Sequence, residues 1–232
     1  MKPLPAGWVR RPFPGGVLCV PERLAAAAGR TWFDPARPGA LPVGEGGRQA
    51  AWFVDGDHGP AVLRHYRRGG LRARLGRESY LWLGAARVRA LAEVRALVHL
   101  RSAGVRVPEP LGAAYWRSGL FYRNAILIAR IAGARALAGR LDQADPAAVA
   151  RAIGAMHAAG VLHADLNAYN ILFDDRDQVW LIDFDRARLV VVSSEQRRKN
   201  LLRLRRSLVK VAGARGAQWW DALDLAYRRF AG

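Results

Sequence analysis

Cysteine is almost missing from this 232-residue chain: Cys19 is the single one. That excludes an internal disulfide framework and suits a reducing compartment. Lysine is nearly as scarce, confined to positions 2, 199 and 210, so 34 of the 37 basic residues are arginine. Acidic residues number only 19, and the formal net charge is +18. Such an imbalance implies an anionic partner: nucleic acid, acidic lipid or a phosphorylated substrate. No apolar run approaches the roughly eighteen uncharged residues of a transmembrane helix. No basic N-terminal segment leads into an apolar core, so no signal peptide is expected and the protein should stay on the cytoplasmic side. There is no internal repeat, and the length suits one domain with a full core.

What is present is concentrated in one stretch. His163-Ala-Asp165-Leu-Asn167-Ala-Tyr-Asn170-Ile-Leu-Phe173 is followed by Leu181-Ile-Asp183-Phe-Asp185. The pattern H-x-D-x-x-x-x-N, then an apolar strand ending in D-F, is the catalytic-loop and metal-loop signature of protein-kinase-like folds. Phosphoryl transfer asks a protein for positioning and charge compensation. Asp165 can take a proton from an attacking hydroxyl, and Asn170 and Asp183 offer Mg²⁺ hard oxygens beside a nucleotide. The bland alternative is that Asp165 and Asn170 brace a turn while Asp183 caps a strand end. His163 reads as a residue that holds the loop by a hydrogen bond, and Asn167 either approaches the phosphate or acceptor or braces the turn. Asp185 stands where many kinases have glycine.

The flanks agree. Asp145-Pro146 reads as an N-cap with proline at the first helical position. The stretch 147–159 carries Val149, Ile153 and Met156 at helical spacing, and Gly160 closes it. The runs 171–173 and 179–182, separated by Asp174-Asp-Arg-Asp-Gln178, read as a hairpin.

Upstream, Leu41-Pro-Val-Gly44-Glu-Gly46-Gly47 through Val54 fits a glycine-rich turn between two strands. Glycine at 44, 46 and 47 would let backbone N–H groups approach phosphates, although the spacing departs from G-x-G-x-x-G. The strand 61–66 follows. Where a kinase carries its phosphate-binding lysine, this chain has Arg64, always charged and able to fork toward phosphate; the plain alternative is a surface strand residue. A helix is expected over 86–102, with Val88, Leu91, Val94, Leu97 and Val98 on one face. Its Glu93 is either the ion-pair partner of Arg64 or a solvated helix residue. Pro108 and Pro110 stop the helix, 125–129 reads as a buried strand, and Gly133 as a hinge. Residues 34–47 read as a loop, and 1–16 as partly disordered.

Two clusters carry the charge. Arg64, Arg67, Arg68, Arg72, Arg74 and Arg77 interleave with Tyr66, Leu71, Tyr80 and Trp82. Arg197 to Lys210 flanks the stripe Leu201, Leu204, Leu208 and Val211. Both suit an anionic membrane surface, while an ordinary core-packed helix with a charged outer face is the alternative for the second. Trp219, Leu223, Tyr227 and Phe230 form a last stripe that reads as core. Too little chain follows Asp183 for a protein kinase's peptide platform, and no A-P-E-like segment occurs, so a small-molecule or sugar acceptor is expected.

Leu63-Arg-His-Tyr-Arg-Arg-Gly-Gly-Leu71, the motifs at 163–170 and 181–185, and Asn200-Leu-Leu-Arg-Leu-Arg-Arg-Ser207 together resemble the lipopolysaccharide kinase family. The resemblance spans roughly 30–230 and implies one α+β, two-lobed protein-kinase-like domain over 1–232. Its β-rich N-terminal lobe would cover about 17–130, and its shortened, mostly helical C-terminal lobe about 131–232. It implies transfer from ATP, with Mg²⁺, to a hydroxyl of 3-deoxy-D-manno-octulosonic acid (Kdo) on a lipid A precursor, by a peripheral protein at the cytoplasmic face of the bacterial inner membrane. Asp165 would be the base, Asn170 and Asp183 the metal ligands, and Arg64 the phosphate contact. No nucleic acid and no stable protein partner are expected. A kinase of another small sugar or an aminoglycoside, or a non-catalytic basic nucleotide-binding module, are the alternatives.

Overall fold

The computed structural model describes residues 3–43, 51–67 and 79–231. The chain forms two compact units: residues 1–98 with 109–130, and residues 99–108 with 131–232.

The first unit is an antiparallel sheet. Its strands are β1 (Trp8–Phe13), β2 (Gly16–Pro21), β3 (Leu41–Pro42), β4 (Ala51–Val54), β5 (Ala61–His65) and β6 (Tyr80–Leu81). Helix α1 (Arg89–Ser102), of which residues 89–98 belong to this unit, β7 (Pro110–Ser118) and β8 (Phe121–Ala129) follow. The sheet order is β1-β2-β7-β8-β5-β4-β3, with β6 also paired to β8. Ala125, Ile126 and Leu127 are wholly buried in central β8, which is why that strand is a continuous apolar run instead of an alternating one. Leu18, Val20, Trp32, Phe33, Val54, Leu63, Leu111 and Leu127 form the core.

Two expectations are corrected here. The N-terminal segment is not loose from residue 8 onward: Trp8–Phe13 pairs along its whole length with β2. Its Pro12 and Pro14 favour a reading of disorder, yet β1 is an edge strand, where proline costs no ladder bond. Helix α1 begins at Arg89, not at 86, because residues 85–87 form a separate 3₁₀ turn. The helix's first turn is capped from afar, Asn124 Oδ1 accepting the Ala90 N–H at 2.9 Å, so no local capping residue marks the start.

The second unit holds β9 (Arg135–Ala136), α2 (Pro146–Ala158), β10 (Val161–Leu162), β11 (Ile171–Phe173), β12 (Val179–Leu181), β13 (Arg188–Leu189) and α3 (Ser194–Ala231). Asp145 caps α2, accepting from Ala147 N–H at 2.8 Å and Ala148 N–H at 3.1 Å. The β11–β12 hairpin pairs Ile171 with Leu181 and Phe173 with Val179. Asp174 closes it, its Oδ1 accepting from the Arg176 and Gln178 amides and its Oδ2 from Trp180 Nε1. Helix α3 breaks at Gly213 (φ 56, ψ −129), a conformation open to glycine alone. The chain then doubles back, so that Trp220 Nε1 donates to Leu201 O at 3.2 Å and Arg198 pairs with Asp224 at 2.7 Å. At Gly216 a Cβ would lie 2.2 Å from Leu208 O, so only glycine fits the crossing.

This hairpin settles the tail stripe. Leu201, Leu204 and Leu208 are core residues, at most 2% exposed, and are unavailable to a membrane. Leu223 and Tyr227 are buried beside Trp220, while Phe230 is exposed. In the first basic cluster Tyr66 and Tyr80 are likewise buried, with the Arg89 guanidinium over both rings. Among the described residues, no helix is long and apolar enough to cross a membrane.

Candidate active site

The loop between β10 and β11 is tied to the loop after β12 by one histidine and one asparagine. His163 is buried, and its Nδ1 accepts the Asp165 N–H at 3.0 Å. That leaves Nε2 as the protonated nitrogen, donating to Ile182 O at 2.9 Å. Burial lowers its pKa, opposed by the bond to Ile182 and by the neighbouring carboxylates of Asp183 and Asp165. A neutral imidazole is what this geometry requires, because Nδ1 acts as an acceptor. His163 thus clamps the two loops together and is not placed as a base. The Phe184 ring packs on it at 4.8 Å between centroids.

Asn170 completes the tie. Its Nδ2 donates to Asp165 O at 2.9 Å, and its own carbonyl accepts the Ile182 N–H at 3.0 Å. With Nδ2 engaged, Oδ1 is the atom left for a ligand. Ile182 is therefore pinned on both sides immediately before Asp183, which sits at φ 61. A non-glycine residue in the left-handed region persists only where its surroundings hold it there. So Asp165 and Asn170 share one hydrogen-bonded loop, and that loop is tied to Ile182, the residue before Asp183.

Asp165 itself is open to solvent, its side chain 62% exposed. Its carboxylate is oriented by two donors, Asn167 Nδ2 at 3.3 Å and Arg203 Nη1 at 3.4 Å. Asn167 is fully used inside the loop. Its Nδ2 also reaches Asp165 O at 3.0 Å, and its Oδ1 accepts the Tyr169 and Asn170 amides at 2.9 and 3.2 Å. It braces the turn and aims the carboxylate.

In the first unit Arg64 forms an ion pair with Glu93, and Tyr66 Oη donates to the same carboxylate. Glu93 is 2% exposed, which excludes the solvated reading. Gly44, Gly46 and Gly47 lie outside the described residues, as do Arg68, Arg72, Arg74 and Arg77. A cavity of about 670 Å³ in the first unit includes His65, Trp116 and Phe121 but none of the candidate residues.

A model of the lipopolysaccharide kinase (Kdo/WaaP) family matches residues 37–227. The chain belongs to this family. It is 48% identical over 210 residues to a 3-deoxy-D-manno-octulosonic acid kinase of Stenotrophomonas maltophilia, covering 88% of this chain and 84% of that one. A 3-deoxy-D-manno-octulosonic acid kinase of Xanthomonas campestris is 48% identical over 207 residues, 87% of this chain and 83% of its own. One from Xylella fastidiosa is 47% identical over 195 residues, 82% and 76%.

This Kdo/WaaP family member supports its loop with residues of the segment 200–207, which carries part of the resemblance but whose contacts with the loop the sequence does not announce. Asn200 Nδ2 donates to His163 O at 2.7 Å, and Ser207 Oγ accepts the Ala168 N–H at 3.1 Å. With Arg203 they recur at helical spacing, so one face of α3 touches the loop at three points. Behind them a buried chain runs from Tyr227 Oη to His157 Nδ1 at 2.7 Å, and from His157 Nε2 to Asn200 Oδ1 at 3.0 Å. Burial drives the His157 pKa down to about 4, further lowered by Arg197 and only partly offset by the Asn200 bond. The available signal was polar Asn200 and Ser207 on the same side of a leucine-rich helix.

Proposed function

We propose that this protein transfers the terminal phosphoryl group of ATP to a hydroxyl of Kdo carried by a lipid A precursor, in assembly of the lipopolysaccharide inner core. The observation that carries the reading is Asn170 bonded at once to the backbones of Asp165 and Ile182, which ties the proton acceptor to the metal-binding loop. The shared family and the names of relatives at 47–48% identity support the sugar.

The geometry supports the following roles. Asp165, aimed by Asn167 and Arg203, receives the hydroxyl proton as the oxygen attacks. Asn170 Oδ1 and the Asp183 carboxylate are hard oxygens suited to Mg²⁺, and among the described residues no three His, Cys, Asp or Glu side chains cluster as an alternative site. Two protein ligands completed by phosphates and water are what Mg²⁺ commonly accepts. The ion, when bound, neutralises charge on the phosphates. Arg64, oriented by Glu93, is assigned to the phosphates, and Gly44, Gly46 and Gly47 to the covering turn. The two-lobed protein-kinase-like architecture, with lobes of about 17–130 and 131–232, belongs to the same proposal. So does a peripheral position at the cytoplasmic face of the inner membrane, supported by the net charge of +18 and the anionic, acylated acceptor.

Incubation with MgATP and Kdo-bearing lipid A precursor, followed by mass spectrometry, tests the reading. One added phosphate on the Kdo sugar is expected; an acceptor that stays unmodified while another sugar is phosphorylated overturns it.

A further inference from the structure

We infer that the cationic pocket beside the catalytic loop seats the acid group of the acceptor sugar. The inference rests on the proposed transfer to Kdo and extends it to the residues that recognise the acceptor. The pocket, about 590 Å³, is lined by Arg188, Lys199, Arg203 and Arg206, with Leu162 and Ala164. Its location follows from two periodicities. The β10–β13 register sets Arg188 opposite Leu162, the residue before His163. Lys199, Arg203 and Arg206 recur every three to four residues, on one face of α3.

Four cations around one cavity repel each other, and only two have a local partner. Lys199 pairs with Glu195, and Arg203 with Asp165 at 3.4 Å. Arg188 and Arg206 are exposed and have no ion-pair partner among the described residues. An anion in the cavity would relieve that repulsion, and two guanidinium forks match a carboxylate geometrically. Arg203 bridges the cavity to Asp165, so an anion in the cavity would lie next to the carboxylate proposed to receive the hydroxyl proton. Kdo is itself an acid, so its carboxylate is the group assigned here. Arg203 would stand between that carboxylate and Asp165 and offset their mutual repulsion.

The test is a calorimetric titration of the full chain with Kdo monosaccharide and with its methyl ester at low ionic strength. The acid should bind at least tenfold more tightly than the ester, and added salt should erase most of the difference. In the double variant Arg188→Ala/Arg206→Ala the acid should bind at least tenfold more weakly and no longer be preferred. That variant should keep its thermal midpoint, and Arg229→Ala, which removes an exposed charge outside the pocket, should bind like the wild type. Equal binding of acid and ester by the wild type, or unchanged preference in the double variant, overturns the assignment. A double variant that loses discrimination only against a dephosphorylated lipid acceptor overturns it in favour of a lipid phosphate. The transfer assay separates the two claims. A wild type that prefers the acid through Arg188 and Arg206 but moves no phosphate sinks the kinase reading alone; transfer with an unaltered acceptor KM in the double variant sinks the pocket alone.

Discussion

Two of the ion pairs, Arg64–Glu93 in the first unit and Arg203–Asp165 in the second, are built in opposite ways. Glu93, on α1, is sealed, its side chain 1% exposed, and accepts from Arg64 on β5 and from Tyr66 just beyond that strand. Asp165 stands in the open at 62%, with Arg203 at 47%. A buried carboxylate must be paired or the fold suffers, since an unpaired charge in low dielectric is costly. An exposed carboxylate gains little from its partner in stability, so the donors around Asp165 serve direction. Removing charge from one unit should therefore cost folding, and from the other, chemistry.

The largest effect expected from this contrast is on turnover. Asp165→Ala should lower phosphate transfer by roughly 10²–10⁴-fold while urea unfolding stays within about 1 kcal/mol of the wild type. A large loss of stability would erase the distinction between the pairs. Glu93→Ala should do the reverse in kind, lowering the unfolding free energy by about 3–5 kcal/mol; a loss below about 1 kcal/mol in urea titration would mean that the sealed pair is no more structural than the open one.

Acid sharpens the comparison within the second unit. The folded-state pKa of His157 lies near 4, against 6.5 ordinarily, so in that interval the unfolded chain binds a proton that the folded chain refuses. The stability is complete above pH 6.5 and falls as pH drops toward 4, by about 3 kcal/mol from His157. His163, lowered in the same direction by burial, adds to the slope. Denaturant titrations across this range should show the fall, and His157→Gln should flatten it. The smallest effect belongs to Arg203→Ala. Turnover should fall roughly tenfold as Asp165 loses one of its two aiming donors, with stability changed by less than about 0.5 kcal/mol.

Elements with local punctuation were legible from sequence. Asp145, Pro146 and Gly160 mark α2 to within a residue of its ends, and Asp174 with its neighbours marks the β11–β12 turn. The start of α1 was not legible, because its cap is Asn124, which joins it only through the tertiary structure. Strand β1 was hidden by prolines that an edge strand tolerates. At the site, spacing alone nominated Asp165, Asn170 and Asp183 as candidates, because each of the two motifs lies within a short stretch of chain. Asn200, Arg203 and Ser207 reach the same loop from a helix beginning at Ser194, and the polar residues beside its leucine stripe do not announce which loop they meet. The leucines at 201, 204 and 208 carried an amphipathic signal that fits core and membrane alike; the fold-back at Gly213 decides for core.

The most direct measurement of the central claim is Mn²⁺ binding in the presence of ATP, followed by electron paramagnetic resonance. The wild type should hold the ion in the ternary complex, and Asn170→Ala and Asp183→Ala should each weaken it by about tenfold or more, whereas Asp165→Ala should bind it like the wild type. Binding undiminished in both ligand variants would contradict the account, because the cluster tied together by His163 and Asn170 would then not be where the nucleotide's metal sits.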